Sequence, residues 1–230
     1  MDLQYAIKNR RSIRNFTDEP ITKEVVNKII EAAIYAPSAC NQQGWKFIVI
    51  DSDEVKNKIY EKHYSRLVKA ATVGIIVLYR NDVSFNYLMY KDHIQSGAAA
   101  IQNMLLTAYE NGVGACWVCD LPPQRIMRKL LNIPKCYDII ALVALGHEKN
   151  YLSEHTLEHY DMDVEKANKR VRKDKLENMI SYNIFSGKRE KVNNCMFFRA
   201  FLFGMFKSTK SKFIKRILVN IIKCRKDIIK

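Results

Sequence analysis

Three arginines and a serine crowd one short stretch near the start of this 230-residue chain, Asn9-Arg10-Arg11-Ser12-Ile13-Arg14-Asn15-Phe16. Arginine is always charged and presents a planar fork of donors, so Arg10, Arg11 and Arg14, with the Ser12 hydroxyl, suit a phosphate. The same residues taken alone would equally make a solvated basic face. A second polar island, Ala36-Pro37-Ser38-Ala39-Cys40-Asn41-Gln42-Gln43-Gly44-Trp45, follows about twenty residues later.

These two islands need a scaffold, and the hydrophobic periodicity supplies one. Leu3, Ala6 and Ile7 fall at helical spacing over residues 2–9. Thr22-Lys23-Glu24-Val25 starts a second helix with Val25, Val26, Ile29, Ile30, Ala33 and Ile34 on its apolar side, and Pro37 stops it. Residues 45–51 read as a buried strand, 55–70 as a helix and 73–79 as a second strand. Residues 91–111 form a long helix, where Gly97, Ala98, Ala99 and Ala100 allow another helix to approach closely. A strand over 115–119, a helix over 123–131 and a strand over 139–145 complete the pattern. Strands alternating with helices indicate an α/β or α+β sheet domain, and periodicity alone leaves the strand order open.

The chain is long enough for one domain with a substantial core, and its 48% apolar content excludes disorder throughout. Its net charge of +14 is unevenly spread. Residues 155–230 hold 19 Lys and Arg against 8 Asp and Glu, a surplus of +11, which leaves +3 for the rest. We therefore divide the chain into residues 1–153 and a basic, helical extension over 154–230. In that extension the aromatic run Met196-Phe197-Phe198-Arg199-Ala200-Phe201-Leu202-Phe203 is flanked by lysines. Its uncharged runs fall far below the ~20 residues that span a bilayer. An interfacial helix on an anionic membrane and a helix packed on the core or on a partner subunit both fit this pattern. Nucleic acid is not expected, because no groove-reading or stacking motif is present.

Cys116-Trp117-Val118-Cys119 is formally a C-x-x-C, but it enters a strand-like stretch. A redox dithiol would need the start of a helix to lower its thiol pKa. No second pair completes a zinc site, so no metal is expected. The start of the chain lacks the apolar segment of a signal peptide. Six scattered cysteines without a disulfide rhythm, together with that lack, point to the cytoplasm.

In this order and at this spacing the two islands resemble the opening of the nitroreductase family of FMN-dependent oxidoreductases. Arg10, Ser12 and Arg14 match its R-x-S-x-[RK] element; Pro37, Ser38, Asn41, Gln42 and Trp45 match its P-S-x-x-N-Q-x-x-W element. Residues 95–106 are similar to the family's central helix, and Asn111-Gly112-Val113-Gly114-Ala115-Cys116-Trp117 to the G-x-G-x-C-W strand entry after it. Ala141-Leu142-Val143-Ala144-Leu145-Gly146 looks like the last core strand. The resemblance covers roughly residues 1–150. It implies an α+β fold with a mixed, mainly antiparallel sheet flanked by helices, in an intertwined homodimer.

The resemblance further implies FMN as cofactor, NADH or NADPH as hydride donor, and a small-molecule acceptor: a nitroaromatic, a quinone or an activated C=C bond. The flavin carries the redox chemistry by ping-pong hydride transfer, and no side chain acts as a covalent nucleophile. Arg10 and Ser12, beside Arg11, would hold the phosphate, and Arg14 the N1/O2 edge of the ring. Pro37, Ser38, Ala39 and Asn41 would reach the flavin from the other subunit, and Val118 would pass near N5. After Gly146 the family commonly continues Tyr-Pro and then a Lys or Arg, whereas this chain has His147-Glu148-Lys149. Lys149 would then be the phosphate cation, and Glu148 is a departure. The alternative is a flavin-binding or degenerate member used for binding or membrane-surface anchoring. A third option keeps the flavin for fragmentation or dehydrogenation chemistry.

Overall fold

The computed structural model describes residues 2–149, apart from 64 and 85–89. The expectations for 154–230 lie outside the described residues. Helix α1 (Leu3–Asn9) begins where the Asp2 carboxylate accepts the Gln4 N–H, and α2 (Lys23–Ile34) begins where the Thr22 hydroxyl accepts that of Val25. Such caps satisfy amides that a helix start leaves unpaired. Val26, Ile29 and Ala33 recur at helical spacing and form the buried stripe of α2.

Strands β1 (Trp45–Ile50), β2 (Val73–Arg80), β3 (Gly114–Val118) and β4 (Tyr137–Gly146) form one sheet in the order β1-β2-β4-β3, antiparallel throughout. The parallel component is a single bridge, Ser12 to Ala115, on the outer side of β3. Alternation along β2 and β4 divides two cores. Val73, Ile75, Val77, Ala141, Val143 and Leu145 face α2 and α5 (Asp92–Glu110). Ile76, Leu78, Leu142 and Ala144 face α3 (Asp53–His63), α4 (Arg66–Ala70) and α6 (Gln124–Leu131). Both central strands are buried on both faces, and each large side chain so buried contributes roughly 1.5–3 kcal/mol.

Two sequence expectations need correction, and a third is extended. The helix expected over 55–70 is two helices, with Ser65 in extended backbone at the start of α4. The first strand is an edge strand: only Ile50 is fully buried and Val49 is exposed. Its apolar composition looked like a central strand because the inner face is covered. The small-residue run in α5 admits a strand as well as a helix. The register shift after Val77 leaves Ile140 without a partner on β2, and a Cβ on Gly97 would lie 2.8 Å from the Ile140 side chain. Helix α2 is joined to α5 elsewhere, through the Asn103 amide and the Ala32 carbonyl at 3.0 Å. No described helix is long and apolar enough to cross a membrane.

Candidate functional site

The arginine cluster follows α1 directly and covers the free edge of β3. The Ile13 N–H donates to the Ala115 carbonyl at 3.0 Å, which fixes Ser12 beside that strand. Ile13 itself packs against Gly114, where a Cβ would lie 2.9 Å from the isoleucine side chain. The segment runs past Cys116 on β3. Burial pushes the Cys116 thiol's pKa up, against the opposing pull of the Arg14 charge, the Ser12 hydroxyl and the Arg10 charge. Two of the three guanidinium groups are partly spent on backbone: Arg11 Nη1 donates to the carbonyls of Lys8 at 2.9 Å and Arg10 at 3.0 Å, closing the end of α1, and Arg14 Nη1 donates to the Ser12 carbonyl at 3.2 Å.

The chain then crosses to the segment leaving β4. The Thr17 N–H donates to the His147 carbonyl at 2.8 Å, Phe16 pairs with Glu148, and the Lys149 N–H donates to the Asn15 carbonyl at 3.1 Å. Phe16 lies over Gly146 and packs with the α3/α4/α6 core. These backbone bonds bring Lys149 next to the Arg10–Arg14 segment, with Gly146 beneath. Glu148 enters as a half-buried carboxyl, and burial raises its pKa. Val118 is also near this edge, but its side chain belongs to the core. Trp117 packs against the α2/α5 core and its buried indole Nε1 has no hydrogen-bond partner among the described residues.

The second island sits elsewhere. After Pro37, one turn over Ala39–Asn41 leads into β1, and Cys40, Asn41 and Gln43 take left-handed backbone at φ 50°, 53° and 49°. The Gln43 N–H donates to Ser38 Oγ at 3.0 Å, and Gln43 Nε2 donates to Asn41 Oδ1 at 2.8 Å. Ser38 therefore keeps its hydroxyl proton to donate, and Asn41 its amide N–H groups. The loop is seated by the Ala39 N–H on Ser96 Oγ and, at its far end, by the Arg80 N–H on the Gly44 carbonyl. Gly44 is required there, because a Cβ would lie 2.7 Å from the Tyr79 ring.

The two islands are at opposite corners of the sheet. Residues 12–13 lie level with Leu145 on the β3 edge; Trp45 is level with Tyr79 and Asp138 beyond the β1 edge. Six or seven residues along the strands and four strand spacings across put Trp45 roughly 30 Å from residues 12–13.

Sequence reasoning missed a buried ionic cluster at the start of α5. His93 Nε2 is 3.4 Å from Asp138 Oδ2, and its Nδ1 is 3.4 Å from Ser84 Oγ and 3.9 Å from Asp92 Oδ1. Asp138 also accepts from Arg128 at 2.7 Å and Asn81 at 3.1 Å, while Asp92 accepts from the Ser84 hydroxyl and, at 2.9 Å, the His93 N–H. The available signal was polar residues at apolar-phase positions: Asp92, His93 and Ser96 on a helix face otherwise buried through Gly97, Ala100, Ile101, Met104, Leu105 and Ala108, and Asp138 near the start of a strand.

Comparison with known proteins matches residues 7–147 to the model of the nitroreductase family. A candidate NADH dehydrogenase/NAD(P)H nitroreductase of Methanothermobacter thermautotrophicus is 36% identical over 151 residues, covering 64% of this chain and 78% of that protein. A solved candidate nitroreductase from Desulfovibrio desulfuricans, in complex with FMN, is 32% identical with a TM-score of 0.58, covering 69% of this chain and 94% of that one. A nitroreductase family protein from Clostridium novyi NT is 27% identical with a TM-score of 0.61, over 67% and 89% of the two chains.

Proposed function

The chain belongs to the nitroreductase family, and from that footing we propose that it is an FMN-dependent oxidoreductase that takes reducing equivalents from NADH or NADPH. The acceptor class we assign is a nitroaromatic, a quinone or an activated C=C bond. The observation that carries this reading is the seating of the Arg10–Arg14 segment along the β3 edge by the Ile13 N–H on the Ala115 carbonyl, with Lys149 held alongside by its N–H bond to Asn15. The arginine and lysine groups in that set are donors only and the Ser12 hydroxyl can donate, which fits a phosphate and the acceptor-rich edge of a flavin.

When bound, FMN supplies the two-electron redox chemistry. The chain's own residues do the holding and the electrostatics. Arg10 and Ser12 take the phosphate with Lys149, and Gly146 lets the Phe16 ring lie close against β4. Arg14 places a fixed cation where negative charge would grow on reduction, and such preorganised charge favours the reduced state. Arg11, turned in part to α1, contributes background charge.

Ser38, Ala39 and Asn41, after Pro37, present donors but lie too far from the arginine cluster of the same protomer to share one ring with it. A homodimer in which each loop 37–41 serves the partner's cluster resolves that separation. Dimerisation is then a condition of cofactor binding. Val118 contributes through its backbone, since its side chain is committed to the core.

The visible absorbance of the freshly purified protein, followed by chromatography of any released chromophore, tests this. Near-stoichiometric FMN is the expected result. A colourless protein that refuses added FMN would overturn the reading and favour a binding or anchoring role.

A further inference from the structure

Ser96 stands where the loop 37–43 meets the buried ionic cluster. It is only 4% exposed, and its hydroxyl is fully engaged: Oγ accepts the Ala39 N–H at 3.2 Å and donates to the Asp92 carbonyl at 2.8 Å. The residues that follow it are Gly97, Ala98, Ala99 and Ala100. Alanine at 96 would suit the helix better, because serine competes with the helical backbone for hydrogen bonds. The hydroxyl is therefore explained by what it holds outside the helix.

What it holds needs a support. Three non-glycine residues of the loop sit at positive φ, a conformation that persists only when surrounding structure enforces it. Ser96 couples the loop to Asp92, and Asp92 is fixed in turn by Ser84 and the His93 N–H. His93 leans on Asp138, which Arg128 and Asn81 anchor from α6 and from the end of β2. The loop's height above the sheet is thus referenced to β4 and α6 through a chain of buried polar contacts.

We propose that Ser96 is a positioning residue for the cofactor, holding Ala39 so that the donors of Ser38 and Asn41 face the flavin of the partner protomer. This rests on the reading of residues 37–41 as flavin-contacting. Ser96 touches no cofactor atom; it acts through the Ala39 amide. Removing its hydroxyl leaves that amide without its acceptor and lets the loop drift while the core stays packed.

The test compares wild-type full-length protein, Ser96→Ala and Val68→Ala, the last trimming the core on the other face of the sheet. Each apoprotein is titrated with FMN by fluorescence, and hydrogen exchange is followed across residues 37–44 without flavin. Ser96→Ala is expected to weaken FMN binding roughly two- to tenfold, the loss of one buried hydrogen bond, and to speed exchange across the loop. Val68→Ala should lower the melting temperature with little effect on either readout. Unchanged affinity and exchange in Ser96→Ala would overturn the positioning role, as would an equal loss of affinity in Val68→Ala. A wild-type protein that binds no FMN would overturn the oxidoreductase reading and this role with it. Wild-type binding matched by Ser96→Ala would remove this role alone.

Discussion

Phe16 lies so close over Gly146 that a Cβ on the glycine would sit 2.5 Å from the ring. The backbone on either side of this contact carries the Thr17–His147 and Lys149–Asn15 bonds that seat the cation beside the arginines. Gly146→Ala should therefore destabilise the protein by about 1–3 kcal/mol, the usual cost of overpacking, and should weaken FMN binding as well. Urea denaturation of the variant reads the first effect. Wild-type stability would mean that the ring gives way freely.

Arg10→Ala and Arg14→Ala should each reduce FMN affinity by about ten- to a hundredfold, corresponding to the roughly 1.5–3 kcal/mol of a charge-assisted hydrogen bond. Arg11→Ala should do less, because its Nη1 already serves two carbonyls, of Lys8 and Arg10, against the one, of Ser12, that Arg14 serves. Isothermal titration of all three separates them. Equal losses would place Arg11 in the site on the same footing as its neighbours.

Asp138 holds Arg128, Asn81 and His93 together with little exposure to water. Asp138→Ala should cost about 3 kcal/mol, mainly from leaving the Arg128 charge with only the Tyr137 carbonyl and the imidazole Nε2 without its carboxylate. Chemical denaturation measures it. A loss below about 0.5 kcal/mol, the range of surface substitutions, would show that the pair is exchanged for water without penalty.

Glu148 titrates against its burial. Its folded pKa is raised, so the folded state binds this proton more tightly than the unfolded chain does. The contribution to stability is thus fully present below the unfolded carboxyl pKa and is lost as pH rises through the raised folded value. Glu148→Gln should make the protein more stable than wild type at neutral pH, with the difference vanishing at low pH. Melting curves across pH 4–8 would refute this if the two proteins ran parallel.

The cysteines should separate by reactivity. Cys116 is buried with a raised pKa, whereas Cys40 and Cys119 are exposed. Brief treatment with an alkylating reagent, followed by peptide mass mapping, should label Cys40 and Cys119 well before Cys116. Early labelling of Cys116 would mean that the β3 edge opens readily.

Much of the fold was legible because local pattern and final burial coincide. Val26, Ile29 and Ala33 announce α2, and the alternation through Ile75, Ile76 and Val77 becomes the division between two cores. The split near Ser65, the edge position of β1 and the extra residue at Ile140 depend on which neighbour each element meets, and no local window holds that information. Residue type alone made the arginine cluster a candidate anion site or a solvated basic face. Its nearness to Lys149 was not readable, since 135 residues of chain separate Arg14 from Lys149. The Asp92, His93 and Asp138 cluster stayed hidden for the same reason: its members come together only once α5 packs on β4.

On the proposal that loop 37–41 contacts the cofactor, the left-handed backbone of Cys40, Asn41 and Gln43 has a consequence for how quickly that cofactor is taken up. A loop already in its docking shape has few rotations left to freeze, so association forfeits little conformational entropy and needs no slow rearrangement. Capture then becomes a matter of encounter rather than of folding around the guest, and variation in affinity among mutants of this loop should appear in how long the complex lasts.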